Sequence, residues 1–418
     1  MIKNFFVVIA LLVLTFNYAQ EGTSSPYSFY GIGELKFKGT VENQSMGGLS
    51  FYSDSIHANL RNPAALADIK RTVFTVGLSH NSTQYKNSSV TETQNSASFD
   101  YLSLGFPVSP KIFVNTGLLS YSSVGYNILS ETGNNGLIQR DELTGNGGLN
   151  KVFLSLGYKV TDNINIGVTG NYAFGKMENE SERIVENVLL GTREINNSEL
   201  SGVDFNFGLS YKLKILEDLT FRTGITFSPE AAITSNNSRQ ISTFHDLTPV
   251  SETEDVDLEA AGLKETDLIL PTNVSFGVGL GKEHKWFVGT EVQSIKTGNF
   301  KNSFMESPGT EYKDAFIISL GGFYIPNYNS FTSYWSTVVY RAGIKFEETG
   351  LRIKNEEINN FGISFGLGLP VRNFSNINFD FEYGKRGTLN AGLIEENYFN
   401  VKLSLSLIDK WFVQRKYD

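Results

Sequence analysis

The chain contains no cysteine. Disulfides therefore contribute nothing to its stability, and attachment to lipid through an N-terminal cysteine is excluded. Beyond its first residues it also lacks any apolar run long enough for a membrane-crossing helix. Histidine is scarce, and no two of His57, His80, His245 and His284 stand at metal-ligand spacing. Basic charge is in deficit, with 35 Lys and Arg against 44 Asp and Glu and a net charge of -9, which argues against a nucleic-acid partner. Gly277-Val-Gly279-Leu-Gly281 has no helix behind it and fails the context of a dinucleotide loop; small residues on an inward strand face explain it better. Asp255, Asp257 and Glu259 alternate as acids, yet the Gly and closing Glu of a calcium loop are missing, which leaves a solvated acidic loop or loose divalent binding. His80 and Asn81 are strand neighbours that point to opposite faces, so they cannot share a catalytic site. No cofactor and no enzymatic chemistry is expected.

What is present is alternation. Phe361 to Leu369 reads Phe-Gly-Ile-Ser-Phe-Gly-Leu-Gly-Leu, with large apolar residues at odd positions and small or polar ones at even positions. In a strand these two sets lie on opposite faces. One face is greasy and the other is too small and polar for a packed core, a contradiction resolved by a closed barrel standing in lipid. The mean hydropathy of -0.17 fits, because inward residues dilute the lipid-facing ones. The 13% aromatic content suits interfacial girdles. A length of 418 residues exceeds what one soluble core usually holds but is ordinary for a large barrel.

The expected fold is all-β, a transmembrane antiparallel barrel of about 14 strands. The candidates lie near 71–86, 94–107, 111–127, 149–160, 163–176, 201–214, 219–233, 269–281, 284–296, 311–325, 334–347, 358–369, 375–385 and 396–408. Val152, Leu154 and Leu156 should meet lipid, as should Phe399, Val401, Leu403 and Leu405. Asp204, Glu291, Asp380, Glu382 and Lys402 occupy the opposite phase and should face the lumen. Short turns alternate with long polar connections at 128–148, 177–200, 234–268, 297–310, 348–357 and 386–395, the pattern of periplasmic turns and outer loops.

Lys3 followed by the apolar Phe5 to Phe16 has the form of a signal peptide cleaved near Ala19 and Gln20, with a retained anchor helix as the alternative. This places the protein in the outer membrane of a Gram-negative bacterium, in contact with its lipid. Residues 1–20 are thus read as the signal, 21–70 as an N-terminal hatch or plug, and 71–418 as the barrel. Residues 21–70 do not alternate. After the last strand, Trp411 and Phe412 beside Lys410, Arg415 and Lys416 suit an inner interface, or else an exposed tail.

Met46-Gly47-Gly48, then Asn62-Pro63-Ala64 just before the first strand, resemble the N-terminal hatch of the FadL/TodX long-chain fatty-acid transporters. Leu270-Pro271 and Tyr340-Arg341-Ala342-Gly343 are weaker echoes of its later strands, and Ser25 to Gly33 looks like a Bacteroidota branch. The resemblance implies passive movement of small hydrophobic, fatty-acid-like molecules, gated by those hatch residues, with sideways exit at a kinked strand. Gly117 and Gly125 in the third strand could supply the kink. Some members of that branch are instead barrel subunits of larger envelope machines, so a scaffold with envelope protein partners stands as the alternative.

The assigned faces predict the effect of two neighbouring substitutions. Leu405→Arg should destabilise by roughly 2–4 kcal/mol if Leu405 lies near the bilayer midplane, measured by urea unfolding in lipid. On the sequence alone, Ser404→Arg should be tolerated much better, and equal loss from both would mean that the faces are misassigned.

Overall fold

The computed structural model describes residues 22–134, 137–245, 248–305, 309–371 and 376–409. The proposed signal segment and the aromatic-basic tail at Trp411 and Phe412 lie outside the described residues.

A short strand, β1 (Glu34–Leu35), belongs to an inner segment that precedes the wall. The wall begins with β2 (Thr72–Lys86), β3 (Thr91–Pro107), β4 (Ile112–Asn134), β5 (Leu137–Lys159), β6 (Ile164–Val185) and β7 (Gly191–Lys214). It continues with β8 (Thr220–Ser228), β9 (Ala231–His245), β10 (Thr248–Asp255), β11 (Glu265–Leu270), β12 (Asn273–Lys282) and β13 (Trp286–Ile295). It ends with β14 (Thr310–Tyr312), β15 (Ala315–Tyr324), β16 (Val339–Ile353), β17 (Glu356–Leu369), β18 (Asn376–Gly387) and β19 (Glu395–Asp409). β8 and β9 follow one another as a single stave against β7, and β11 with β12 and β14 with β15 do likewise. The result is a closed antiparallel barrel of 14 staves, sealed where β19 pairs with β2 from Glu395↔Lys86 to Asp409↔Thr72. Closure leaves the lipid-facing wall without a free edge along most of its circumference.

Alternation sets the two faces as the sequence implies. Val152, Leu154, Leu156 and Phe399 are exposed on the outer surface, while Asp204, Glu291, Asp380 and Glu382 are buried inside. Two expectations are corrected. First, the connections expected as loops at 128–148, 177–200 and 234–268 are largely strand, because β4–β5, β6–β7 and β9–β10 run on as tall hairpins. Their ladders carry cross-strand ion pairs, Arg183–Asp141 at 2.6 Å, Arg193–Glu180 at 2.9 Å and Arg239–Glu194 at 3.2 Å. A strand that is polar on both faces has no hydrophobic period to read.

Second, the lumen is filled. Residues 22–71 lie inside the barrel, and toward the tall rim Leu149, Phe153, Met177, Leu200, Ile233 and Leu268 turn inward into an apolar cluster with Ile32 of the inner segment. Ser404 faces inward as expected but is wholly buried, with Thr75 Oγ1 3.3 Å away. An arginine there has no water to enter, so the tolerance expected of Ser404→Arg does not follow. The variant should leave the barrel wall formed but unseat the inner segment. Limited proteolysis of folded barrels should then cut residues 22–70 in the variant and spare them in the parent.

Candidate functional site

The inner segment meets the wall on a row of glycines. Across the ladders Gly157 stands opposite Gly167, and Gly167 opposite Gly208. Farther round, Gly224 faces Gly277, and Gly279, Gly289, Gly321 and Gly343 follow in register. A Cβ on Gly167 would overlap Pro63, one on Gly208 would overlap Asn62, and one on Gly321 or Gly343 would overlap Met46 and Gly47. Phe51 lies over Gly277 and Gly289, and Ser45 over Gly366. The two motifs Met46-Gly47-Gly48 and Asn62-Pro63-Ala64 are thus the segment's main contacts with this girdle. Their local shape is fixed by two devices. Gly47 and Gly48 adopt φ of 71° and 88°, a region that side chains disfavour. Asn62 Oδ1 accepts from Ala64 N at 3.0 Å and caps the turn at Pro63–Asp68.

Polar side chains fasten what the girdle seats. Glu291 accepts from the Ser50 backbone N–H at 2.6 Å and from Ser50 Oγ at 2.8 Å, with the Arg61 guanidinium 3.5 Å away. Glu382 accepts from Gln44 Nε2 at 2.8 Å. Asp204 pairs with Lys151 at 2.6 Å and accepts from Asn171 at 2.8 Å. Asp380 is fully buried between Gly366 and Lys402 in the ladder. Sequence reasoning missed the partners of these groups on the inner segment. Arg222 donates to Ser53 O at 2.9 Å. Arg386 pairs with Glu34 at 2.9 Å and Glu396 at 2.6 Å. Burial works against ionisation of Glu34, but Arg386 and Lys36 hold its carboxyl down to about 2. The one available signal was a glycine at the inward phase of strand after strand.

Between residues 23–38 and β2, β16, β17, β18 and β19 lies a cavity of about 300 Å³. Tyr85, Tyr398, Ile32 and Phe300 line it beside Lys36 and Lys402 and beside Glu34, Glu347, Glu382 and Glu396, so it offers apolar surface and charges of both signs. Lys38 also reaches it, 4.0 Å above the Tyr121 ring, with its pKa lowered by burial to about 8. Ser96 of β3 and Tyr121 of β4 belong to the same lining, and there the wall parts. The β3–β4 ladder ends at Tyr101↔Leu119. Above it β3 pairs only with β2, and β4 carries an irregularity between Ser120 and Ser122. β1 takes the vacated edge, with Glu34 opposite Ser123 and Leu35 opposite Ser122. Gly117 stands within the paired part, opposite Ser103 and Phe153. Gly125 lies above it, its N–H donating to Ser28 Oγ at 3.1 Å.

The profile of the BamG family matches residues 1–418. No curated relative matches the sequence. Among solved structures, the Pseudomonas putida toluene transporter TodX superposes with a TM-score of 0.57 at 14% identity, covering 90% of this chain and 99% of that one. The CymD monoaromatic hydrocarbon channel gives 0.56 at 13% identity, with 91% and 99% covered. A Pseudomonas aeruginosa FadL homologue gives 0.55 at 11% identity, with 90% and 98% covered. The fold is therefore that of FadL and TodX, and two of these neighbours are described as a transporter and a channel.

One fastener of the inner segment responds to pH. His57 Nδ1 lies 2.7 Å from Asp54 and its Nε2 lies 3.7 Å from Glu42 and 3.3 Å from Asn376 of β18. Burial works to strip the proton from His57, but Asp54 and Glu42 outweigh it and hold its pKa above the usual histidine value. Burial likewise opposes the charge on Asp54, but His57 and the backbone N–H groups of Ile56 and His57 push its pKa far below the carboxylate range. The attraction is complete where His57 is charged in folded and unfolded chains alike, and it fades as pH rises through the raised pKa. The protection of residues 53–62 against hydrogen exchange, relative to the intrinsic base-catalysed rate, should therefore fall as pH rises through the raised His57 pKa, and His57→Gln should show low protection at every pH.

Proposed function

The chain belongs to the BamG family, and we propose that it is an outer-membrane barrel, exported by a signal peptide at residues 1–20, that passes small hydrophobic molecules passively. Residues 21–70 act as the hatch that closes the axial route. Cargo enters from the tall-hairpin rim, rests in the cavity beside Tyr85 and Tyr398, and leaves sideways where β3 and β4 part. The observation that carries this reading is that one cavity lining includes residues of both parted strands, Ser96 and Tyr121. The toluene transporter and monoaromatic hydrocarbon channel among its fold neighbours support it. In its finer form the cargo is fatty-acid-like, since Lys36 and Lys402 offer a carboxylate a partner beside the aromatic and aliphatic residues of a lining that also carries Glu34, Glu347, Glu382 and Glu396.

A second reading is a barrel subunit of an envelope assembly that does not transport. It is favoured by the charged network through Glu291, Arg222 and Arg386 that holds the inner segment in place. The two readings separate in proteoliposomes. The cysteine-free barrel with Ser98→Cys and Ser123→Cys can be bridged across the parted strands by a short bismaleimide. Unbridged protein should admit a pyrene-labelled fatty acid, and bridging should stop it. Uptake undiminished by the bridge would sink the lateral route, whereas no uptake before bridging would leave the subunit reading.

A further inference from the structure

Most of the cations that line the cavity are engaged. Arg386 is held by Glu34 and Glu396, and Lys345 pairs with Glu347 at 3.1 Å. Lys36 Nζ donates to Gly22 O, and Lys402 stands opposite Asp380 in the ladder. Lys38 differs. Among the described residues no carboxylate pairs with it, and its Nζ lies 4.0 Å above the Tyr121 ring. That ring favours a cation, but Lys151 already lies over it at 3.7 Å. Asp204, the carboxylate whose charge reaches Lys38, is 2.6 Å from Lys151 Nζ and accepts from Asn171 at 2.8 Å. Two ammonium groups thus share one ring and one counter-ion, and Lys38 is the one without close contact to that counter-ion. It is itself half-buried, and Ile32, Phe37, Leu270 and Phe300 give the same lining its apolar surface. Burial works against the charge on Lys38, Asp204 supports it and Arg61 opposes it, with a pKa of about 8 as the balance.

We propose that Lys38 is a nucleophile, and that the cavity captures a hydrophobic aldehyde on it as a reversible imine. A lysine attacks a carbonyl only through its uncharged amine, and desolvation beside a second cation favours that form. From the ammonium, Nζ first releases a proton to water. The free amine then bonds to the aldehyde carbon. Its two remaining hydrogens leave with the carbonyl oxygen as water, so C=N replaces C=O. One amine and one aldehyde give one imine and one water, with no oxidant or reductant. The apolar part of the lining holds the alkyl or aryl body of the ligand and selects against small polar aldehydes. A fatty acid cannot form this bond. Capture needs only that the cavity be reachable, whether or not the barrel transports.

The test exposes the full barrel in detergent to short pulses of decanal. A borohydride quench reduces any imine to a stable secondary amine, and peptide mass spectrometry locates the adducts. Near neutral pH a decyl group should appear on Lys38 at least about tenfold faster than on the average of the other lysines. The rate should saturate with decanal, and it should rise through about pH 8 rather than through the ordinary lysine value. Glyceraldehyde at the same concentration should label Lys38 no faster than the other lysines. Lys38→Arg keeps a cation for the Tyr121 ring and should abolish the fast adduct, whereas Lys36→Arg should leave it. Even labelling of many lysines, a fast adduct on Lys36 or Lys402 instead, equal labelling of Lys38 by glyceraldehyde, or no adduct would each overturn the proposal. The adduct is mapped on the unsubstituted chain, so the result does not hinge on how a variant folds. Uptake of the pyrene probe is scored separately, so failure here is distinct from failure of transport.

Discussion

The structure depends on backbone meeting backbone across a row of missing side chains. A barrel of this circumference would leave an open lumen if its inward face carried ordinary residues. Glycines at Gly167, Gly321 and Gly343 instead let the inner segment's backbone lie directly on the wall. Close approach of this kind gains dispersion contacts along both faces and excludes water. It also makes the seat intolerant, because a single methyl group must displace backbone rather than a flexible side-chain tip.

Once water is excluded, the inward charges change their role. Asp204, Glu291, Asp380 and Glu382 would line an aqueous channel in an unplugged barrel. Here they are buried, and three of them are engaged, by Lys151, by Ser50 with Arg61, and by Gln44. Buried carboxylates are costly unless paired and hydrogen-bonded, so each partner on the inner segment is also a condition of its position. The girdle supplies the fit, and the charges supply register and orientation.

Much of the wall could be read from the chain, because strand alternation needs only local sequence. Phe399 to Leu405 announces both faces of β19 without knowledge of its neighbours. The motifs at Met46 and Asn62 were also visible, as was the inward phase of Gly277. What they touch was not, since Gly167 and Gly208 become one surface only through the register of β6 with β7. Tall hairpins such as β6–β7 escaped because Arg193 and Glu180 stabilise a strand without giving it an apolar side. Ser404 shows the remaining limit. Its direction followed from parity, whereas its burial depends on residues distant in sequence.

The parting of β3 from β4 follows from the same economy of edges. A strand edge in a membrane protein must find hydrogen-bond partners, and β4 beyond Leu119 finds them inside the barrel rather than around it. β1 pairs at Ser122 and Ser123, Lys36 N donates to Tyr121 O, and Ser28 Oγ serves Gly125. Glu34 in that strand is in turn held by Arg386 on the opposite flank. The opening in the wall and the seating of the inner segment are thus two ends of one chain of contacts. A change in one has to be accommodated by the other, which gives the cavity between them a mechanical link to both.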